Sequence, residues 1–183
     1  MKLHLGCGRI VYNGWVNIDI TNKKADMLDD MSKLSSFKAE TIDEIYSSHA
    51  IEHIHPFEFR LALKRWYELL KPGGRITLRT PNEENIVKQH PEIININIIP
   101  SHLFHKNPSP KHKDDLGYID RNHFSENSLR NYVANFGFIS IETRIVSQRH
   151  SVIESFKKYG MDEGIIDHRK LKDIWLRAFK QKG

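Results

Sequence analysis

Apolar residues in the first 80 positions fall into short blocks separated by polar stretches. Blocks of this length, closed by small or acidic residues, predict strands. An amphipathic stretch of helical period precedes the last block, and Lys-Pro-Gly-Gly follows it at residues 71–74. Strands alternating with helical connections predict an α/β fold with a doubly wound, mostly parallel sheet. The predicted strands are 3–5, 15–18, 25–31, 41–49 and 75–79, and the helix carries Phe59, Leu63, Trp66 and Leu70 on one face.

The pattern weakens over residues 83–122 and then returns. Alternating apolar residues at 94–98 suit an edge strand, although a helix also fits, and three prolines follow them. A long irregular segment after the fifth strand borders the carboxyl-end cleft, so we expect an acceptor-recognition insertion. Beyond it, Ser125 is suited to cap a helix that Gly137 ends, and residues 138–146 supply a late strand.

The C-terminal segment shows a second amphipathic pattern. Within 167–182, five apolar residues fall at i, i+3, i+4, i+7 and i+8, with basic residues between them: Leu171, Ile174, Trp175, Ala178 and Phe179. This spacing predicts a C-terminal helix in a helical appendage spanning 150–183. Its apolar stripe is expected to pack on the chain's own sheet, with a subunit interface or an anionic membrane surface as alternatives. The whole chain, 1–183, is expected to be a single domain.

A glycine turn and an acid mark a candidate nucleoside site. The first strand runs into Gly6-Cys7-Gly8, and the second ends on Asp19. Glycines let a ligand lie against bare backbone, and a carboxylate at a strand end can hold two ribose hydroxyls. A dinucleotide motif would have a third glycine where Val11 stands, with its acid about 20 residues further on. The connection at 9–14 is too short for the usual crossover helix, which favours a cofactor without phosphates, S-adenosylmethionine (SAM).

Four ordered motifs resemble those of class I SAM-dependent methyltransferases, in the group with the type 11 pattern. They are LHLGCG at 3–8, VNIDI at 16–20, TIDEIYSSHAIEHI at 41–54 and LKPGGRITLRTPN at 70–82. A weaker similarity continues in HFSENSLRNYVANFGF at 123–138. The resemblance covers residues 1 to about 146. It implies the Rossmann-like fold of that class, here with an abbreviated first crossover, and SAM as the cofactor.

The resemblance also assigns roles to residues. The glycine turn approaches the methionine part of SAM, and Asp19 holds the ribose. Asp30 and Met31 match a pair beside the adenine, and Ser48-His49 match the stretch near the sulfonium. The predicted cofactor-binding set is Leu5, Gly6, Cys7, Gly8, Asp19, Ile20, Asp30, Met31, Ser48 and His49.

Composition narrows the classes of partner. The net charge of +5 is spread over basic residues near 106–113 and along the tail, which is typical of solvated surface. Ser47-Ser48-His49-Ala50 stands where enzymes that methylate base amines carry a Pro-Pro motif, so nucleic acid is disfavoured. No apolar run reaches the roughly 20 residues of a membrane span. The one cysteine, Cys7, forms no internal disulfide and is expected to be a packed residue, which favours the cytoplasm.

Eleven histidines raise the question of metal or base chemistry. Residues 49–53 match H-x-x-E-H, but zinc binding needs both histidines on one helix, whereas His49 ends a strand. His102, His105 and His112 lack a firm ligand spacing, so no metal is predicted. A hydroxyl acceptor benefits from a base near neutral pKa, and His49 and His123 are the candidate catalytic residues, although many relatives need no base.

These patterns predict a SAM-dependent methyltransferase that methylates an oxygen of a small-molecule or saccharide-like acceptor. A catalytically inactive SAM-binding module, a methyltransferase acting on RNA or protein, and a basic interaction protein remain alternatives. A homo-oligomer through the C-terminal helix is a further possibility.

Overall fold

A computed structural model of the chain describes residues 1–89, 121–147 and 172–183. The described part contains seven strands and three α-helices, with a 3-10 turn at Ile51–His53 after the fourth strand. The strands are β1 Lys2–Leu5, β2 Val16–Asp19, β3 Met27–Leu28, β4 Ile42–Ser48, β5 Leu70–Pro81, β6 Phe138–Ser147 and β7 Lys172–Lys180. The helices are α1 Pro56–Leu69, α2 Glu83–Gln89 and α3 Glu126–Asn135.

All seven strands form one sheet in the order β3-β2-β1-β4-β5-β7-β6. The first five in this order are parallel, and β7 pairs antiparallel with both β5 and β6. The predicted α/β fold with a mostly parallel sheet is therefore confirmed. The carboxyl ends of β1, β2 and β4 meet at one edge, where parallel sheets of this kind bind ligands.

The predicted C-terminal helix is wrong, and so is the helical appendage over its last part. Residues 172–180 form β7, which lies between β5 and β6. Alternate residues of this strand enter the core, namely Ile174, Leu176 and Ala178. The segment satisfies both a period of 3.6 and a period of 2, so its pattern did not decide between helix and strand. The segment forms a strand because it pairs with the edges of both β5 and β6. Residues 167–171 lie outside the described part.

The core lies on one face of the sheet. Helices α1 and α3 pack there, through Phe59, Leu63 and Trp66 of α1 and through Leu129 and Val133 of α3. The apolar periodicity of the predicted helices thus faces the sheet. Leu70 does not extend α1 as expected, because its backbone is already extended there and it begins β5. Ser125 caps α3 as predicted, in a reciprocal capping box with Ser128, and Gly137 follows its end with φ of +87°.

The opposite face of the sheet is polar and aromatic. Between the core residues of β1, β4 and β5 stand His4, Glu44, Tyr46, Arg75 and Thr77, all but Arg75 buried. Parallel strands covered by helices on both faces are normally near-continuous apolar runs. The alternation of apolar and polar residues in these strands therefore indicates that, within the described residues, the apolar core is built on one face. A cavity of about 380 Å³ opens on the polar face, over the middle of β4 and β5, between Trp15 and Trp175.

The abbreviated first crossover is confirmed. Residues 6–15 connect β1 to β2 without a helix, although a parallel connection normally has a dozen or more residues. Tyr12 from this connection folds over the sheet and stacks on His4, with ring centroids 4.6 Å apart. Trp15 and Tyr46 complete the aromatic cluster. These rings occupy part of the surface that a crossover helix would cover.

Two other expectations have mixed outcomes. The third strand is confirmed but spans only Met27–Leu28, at the sheet edge, instead of residues 25–31. The alternating segment at 94–98 and most of the 83–122 insertion lie outside the described residues, as do His102, His105 and His112.

Candidate functional site

The glycine turn is held against the end of β4. Gly6 and Gly8 both adopt left-handed backbone, with φ of +61° and +51°. A Cβ on Gly6 would overlap the Cβ of Ala50 and would contact the Met31 sulfur at 3.4 Å. Gly6 is therefore required because three segments converge there, and not by its φ angle alone. Open space surrounds Gly8, which leaves its backbone accessible to a ligand.

Asp19 lies at the carboxyl end of β2 and organises the turn. Its Oδ2 accepts the Gly8 N–H at 2.8 Å, and its Oδ1 accepts the N–H groups of Thr21 and Asn22 at 2.9 and 2.8 Å. Burial raises the pKa of Asp19, but the three backbone donors outweigh it and lower the net pKa below its ordinary value. The carboxylate is thus ionised at neutral pH, and Oδ2 keeps accepting capacity for a hydroxyl.

The residues beyond β2 and β3 form an apolar and acidic border. Ile20 is 67% exposed just beyond the carboxyl end of β2, and Leu28, at the end of the neighbouring β3, is 59% exposed. Asp30 accepts the N–H and hydroxyl of Ser32, and its pKa, raised by burial, is lowered overall by those bonds. Met31 is half-buried beside the glycine turn, and its carbonyl accepts the indole N–H of Trp66 at 2.8 Å. A planar apolar ring would find matching surface here.

Leu5 and Cys7 flank Gly6 in the glycine turn. Both side chains are buried, and the Cys7 N–H donates to the Ile18 carbonyl at 3.0 Å, which ties the turn to β2. Burial raises the pKa of the Cys7 thiol, and the charge of Asp19 raises it further. This environment keeps the thiol protonated, as expected for a packed cysteine.

His49 follows β4 as predicted and lies in a cluster of charged side chains. Ser48, the last residue of β4, pairs with Arg79 of β5, and the His49 N–H donates to the Arg79 carbonyl at 2.9 Å. His49 has φ of +53°, an uncommon conformation outside glycine that marks a constrained position. Its Nε2 lies 2.9 Å from Oδ2 of Asp173, and its Nδ1 lies 3.6 Å from Oε1 of Glu52.

Asp173 and Arg79 are residues of the candidate site that the sequence alone did not indicate. Asp173 is fully buried in β7 and accepts the Arg79 Nε–H at 2.6 Å through the oxygen that faces His49. The other side of the guanidinium donates to the Ser147 carbonyl at 2.6 Å. The helix predicted for the tail concealed this contact, because it assigned no partner to Asp173. Had the tail been interpreted as a strand, a buried acid next to apolar alternation would have indicated a charge partner.

Opposing effects set the protonation of His49. Burial lowers the pKa of the imidazole, but the hydrogen bond to Asp173 and the charge of Glu52 raise it above the ordinary value in spite of Arg79. His49 therefore titrates at higher pH than a free histidine. A raised pKa makes the neutral ring a stronger base and shifts its proton uptake towards physiological pH.

The segment that carries His123 crosses the same end of the sheet. The N–H groups of Arg121 and Asn122 donate to the Glu52 carbonyl, at 2.8 and 2.9 Å. The Phe124 carbonyl accepts the Glu83 N–H at 2.9 Å. His123 is thus tethered on both sides beside the ends of β4 and β5, as half-buried as His49. Both histidine candidates belong to one region of the molecule.

No cluster of three or more potential metal ligands occurs in the described ranges. Helices there are also too short or too polar to cross a bilayer. His49 and His53 do not share a helix, since the first follows a strand and the second ends a 3-10 turn. The inverted zinc-protease pattern therefore lacks its required geometry.

The family model described as "Methyltransferase domain" matches residues 7–143, and the chain belongs to this family. The matched range runs from the glycine turn to the middle of β6. The protein is a class I SAM-dependent methyltransferase by this match and by its fold, and SAM is its cofactor. The surface at the carboxyl ends of β1–β3 fits that cofactor, because it offers an accessible glycine backbone, an ionised carboxylate and an apolar border.

Solved structures of similar fold have diverse activities. A SAM-dependent methyltransferase from Methanosarcina mazei superposes with a TM-score of 0.63, at 17% identity over 100% of this chain and 92% of its own. The 1,6-didemethyltoxoflavin-N1-methyltransferase of Burkholderia thailandensis, with S-adenosylhomocysteine bound, has a TM-score of 0.61 at 14% identity, with coverages of 99% and 71%. The [4+2]-cyclase SpnF gives 0.62 at 13% identity, with coverages of 100% and 74%. Identities this low show the fold alone. No curated protein matches the sequence at a significant level.

Proposed function

We propose that this methyltransferase transfers the methyl group of SAM to an oxygen of a small-molecule or saccharide-like acceptor. The observation that carries the proposal is the meeting of the Gly6 turn with the His49 segment, through the contact of Gly6 with Ala50. This contact brings a candidate base beside the candidate methionine site. When bound, SAM supplies an electrophilic methyl group on a sulfonium, so the protein has to position the acceptor and remove its proton.

In this proposal the cofactor lies along the carboxyl ends of β1, β2 and β3. The backbone of Leu5 to Gly8 borders the methionine part, and Asp19 accepts the ribose hydroxyls with Ile20 beside it. Asp30 and Met31 flank the adenine, and Ser48 and His49 lie towards the sulfonium. The ionised Asp19 and the exposed Ile20 and Leu28 support this orientation.

His49 and His123 are the proposed bases. Each is half-buried at the carboxyl end of the sheet, on a segment that hydrogen bonds to a neighbouring strand or turn. Histidine suits a hydroxyl acceptor because its neutral form exists near pH 7 and binds one proton. The remaining segment of this region, the proposed acceptor-recognition insertion at 83–122, begins with α2 at the carboxyl end of β5.

Calorimetric titration tests the cofactor assignment. We expect SAM and S-adenosylhomocysteine to bind and NAD not to bind. Replacing Asp19 by Ala should weaken SAM binding by about 1.5–3 kcal/mol, because a charge-assisted hydrogen bond to the ribose is lost. Asp43→Ala is the matched control, since Asp43 is an exposed acid near the start of β4, paired with Lys71 and the N-terminus. Equal SAM affinity in the Asp19 variant and the control would remove the ribose assignment.

A labelled methyl donor tests the reaction. We expect label on oxygen in a panel of hydroxylated metabolites and sugars. His123→Gln should lose turnover at unchanged SAM affinity, and His49→Gln should lose far more turnover than SAM affinity. Label found only on RNA or protein would favour the alternative acceptor classes. Binding without turnover on any class would favour an inactive SAM-binding module.

The remaining proposals concern the cellular setting. We propose that residues 1–183 act as a single domain in the cytoplasm, supported by a buried cysteine with no disulfide partner in the described part of the chain. A homo-oligomer, if formed, cannot use the amphipathic C-terminal helix first expected for it, because residues 172–180 belong to the sheet.

A further inference from the structure

The last strand brings an acid to the candidate base. β7 places Asp173 opposite Pro81 of β5 and Val146 of β6, one strand away from β4, and its side chain reaches His49 beyond the end of β4. Asp173 is fully buried, and its Oδ2 is shared between Nε2 of His49 and Nε of Arg79, at 2.9 and 2.6 Å. Its Oδ1 has no hydrogen-bond partner among the described residues. Residues that are 124 positions apart thus form one buried pair.

We propose that Asp173 is a positioning residue that fixes the tautomer of His49, so that Nδ1 is the atom that accepts the acceptor's proton. This inference deepens the proposed function and rests on it for the identity of the reaction. The carboxylate can only accept a hydrogen bond from the ring, so Nε2 must carry a proton. A neutral ring with hydrogen on Nε2 leaves the lone pair on Nδ1.

The surroundings of Nδ1 agree with this role. Oε1 of Glu52 lies 3.6 Å away, which is too long for a hydrogen bond but close enough to stabilise a positive ring. Oε2 of Glu52 accepts the Thr80 hydroxyl at 3.1 Å, which holds the carboxylate in place. Among the described residues, the charged groups that face the ring are Asp173 from β7, Glu52 from the 3-10 turn and Arg79 from β5. Two acids and one base favour the ring as a cation after it takes up the proton.

The proton and electron balance of the step is simple. The acceptor hydroxyl gives its proton to Nδ1, and its oxygen electron pair forms the new bond to the methyl carbon. The electron pair of the broken carbon–sulfur bond stays on sulfur, so the positive charge moves from the sulfonium to the His49 imidazolium. Asp173 keeps its hydrogen bond to Nε2–H throughout and stabilises the positive charge of the imidazolium. The orienting acid of hydrolase triads acts in the same manner.

The test uses ligand-free protein and therefore does not depend on the acceptor. Protein labelled with 15N-histidine is titrated by NMR, and the His49 signals are assigned by their loss in His49→Gln. At a pH above the titration, wild-type His49 should show hydrogen on Nε2 and a free lone pair on Nδ1. In Asp173→Asn the preference for this tautomer should disappear, and the pKa of His49 should fall, because the hydrogen bond to the carboxylate is lost.

Hydrogen on Nδ1 in the wild-type protein would overturn the proposal by itself, which keeps the test valid if Asp173→Asn does not fold. An unchanged tautomer in a folded Asp173→Asn would also overturn it. Asp30→Asn serves as a control, because it removes a half-buried acid at the same edge of the sheet whose described side-chain contacts are with Ser32 and Lys33. Failure of the proposed function would show differently, as absence of SAM binding or of methylated oxygen with the His49 tautomer intact.

Turnover, once an acceptor is identified, provides the functional readout. Asp173→Asn should shift the pH dependence of kcat to lower pH and reduce its plateau, while SAM affinity stays within about twofold. Asp173→Glu, which retains the carboxylate, should restore part of the rate. A pH profile that Asp173→Asn leaves unchanged would show that the acid serves only to neutralise Arg79.

Discussion

Single residues at this site serve two purposes at once. Asp19 accepts the Gly8 N–H and two further backbone donors, so the carboxylate proposed for the ribose also holds the glycine turn in shape. The absence of a side chain at Gly6 makes room for Ala50 and Met31, and in the proposed function also for a ligand. The site is thus preformed by contacts that exist without the cofactor, which reduces the ordering cost of binding.

The two glycines should respond differently to substitution. Gly8→Ala should cost about 1–2 kcal/mol, because a left-handed residue with a Cβ is strained although the space is open. Gly6→Ala should cost more, since its Cβ also overlaps Ala50. Urea unfolding of both variants checks the order. Adding Ala50→Gly to Gly6→Ala should recover part of the loss, and simple additivity of the two substitutions would contradict the contact.

The charge on His49 gives stability a defined pH dependence. Because the pKa of His49 is higher in the folded chain than its ordinary 6.5, its contribution is fully present below 6.5 and is lost as pH rises through the raised folded value. We expect the melting temperature of the wild type to fall, relative to His49→Gln, as pH increases above 6.5. Parallel melting curves of the two proteins across this range would show that the folded and unfolded pKa values are equal.

At the scale of elements, β7 makes the C-terminal tail a structural part of the sheet. A terminal helix would only cover the sheet, whereas β7 completes it, with β5 on one side and β6 on the other. Its alternate residues supply both the apolar core and the polar face, where Arg177 pairs with Glu142 and Asp173 with Arg79. The candidate base is therefore held by the part of the chain that pairs last along the sequence.

Leu176 distinguishes the two interpretations of the tail. It lies outside the apolar stripe of the predicted helix but is fully buried in β7. Leu176→Ala should therefore destabilise the fold by about 2–5 kcal/mol, the range for large-to-small core substitutions. Leu61→Ala, at a half-exposed position of α1, should change stability little. The midpoint of urea unfolding measures both, and equal midpoints would contradict the strand.

At the scale of the whole molecule, the described residues give the sheet two unlike faces. One face carries α1, α3 and the apolar core, and the other carries aromatic rings, ion pairs and an open cavity. The proposed catalytic cluster lies where the polar face reaches the carboxyl end of the sheet. The position of Arg79 and Asp173 on that face explains how charged groups are buried beside the core without entering it.

Removal of the last strand tests this architecture. A chain that ends at residue 171 should lose cooperative thermal unfolding, because β5 and β6 would lose their shared partner and the core would lose Ile174, Leu176 and Ala178. Removal of residues 181–183 alone, which are exposed beyond the strand, is the matched control. A cooperative transition at the wild-type temperature in the longer truncation would show that the tail is dispensable.

Much of the fold was accessible from local pattern. The glycine turn, the acid at the end of β2, the capped helix after Ser125 and the missing first crossover helix were predicted, because each depends on residues close together in sequence. The limits of β3 and the start of β5 were less accurate, since Leu28 and Leu70 have the same polarity in a strand, a helix or a loop. The roles of the cofactor-binding residues and of both histidines stay predictions.

The sequence by itself determined the class of protein and predicted the place of its cofactor site. Strand–helix alternation and a glycine turn followed by Asp19 specify backbone shape, and backbone shape follows from local sterics and periodicity. Only the tertiary structure decided the state of the tail and the partner of His49. The tail, whose apolar spacing suits both a helix and a strand, forms a strand because it satisfies the backbone hydrogen bonds of β5 and β6. Buried Asp173 meets His49 and Arg79 only when the chain folds. Both are long-range free energies that no local stretch of sequence contains.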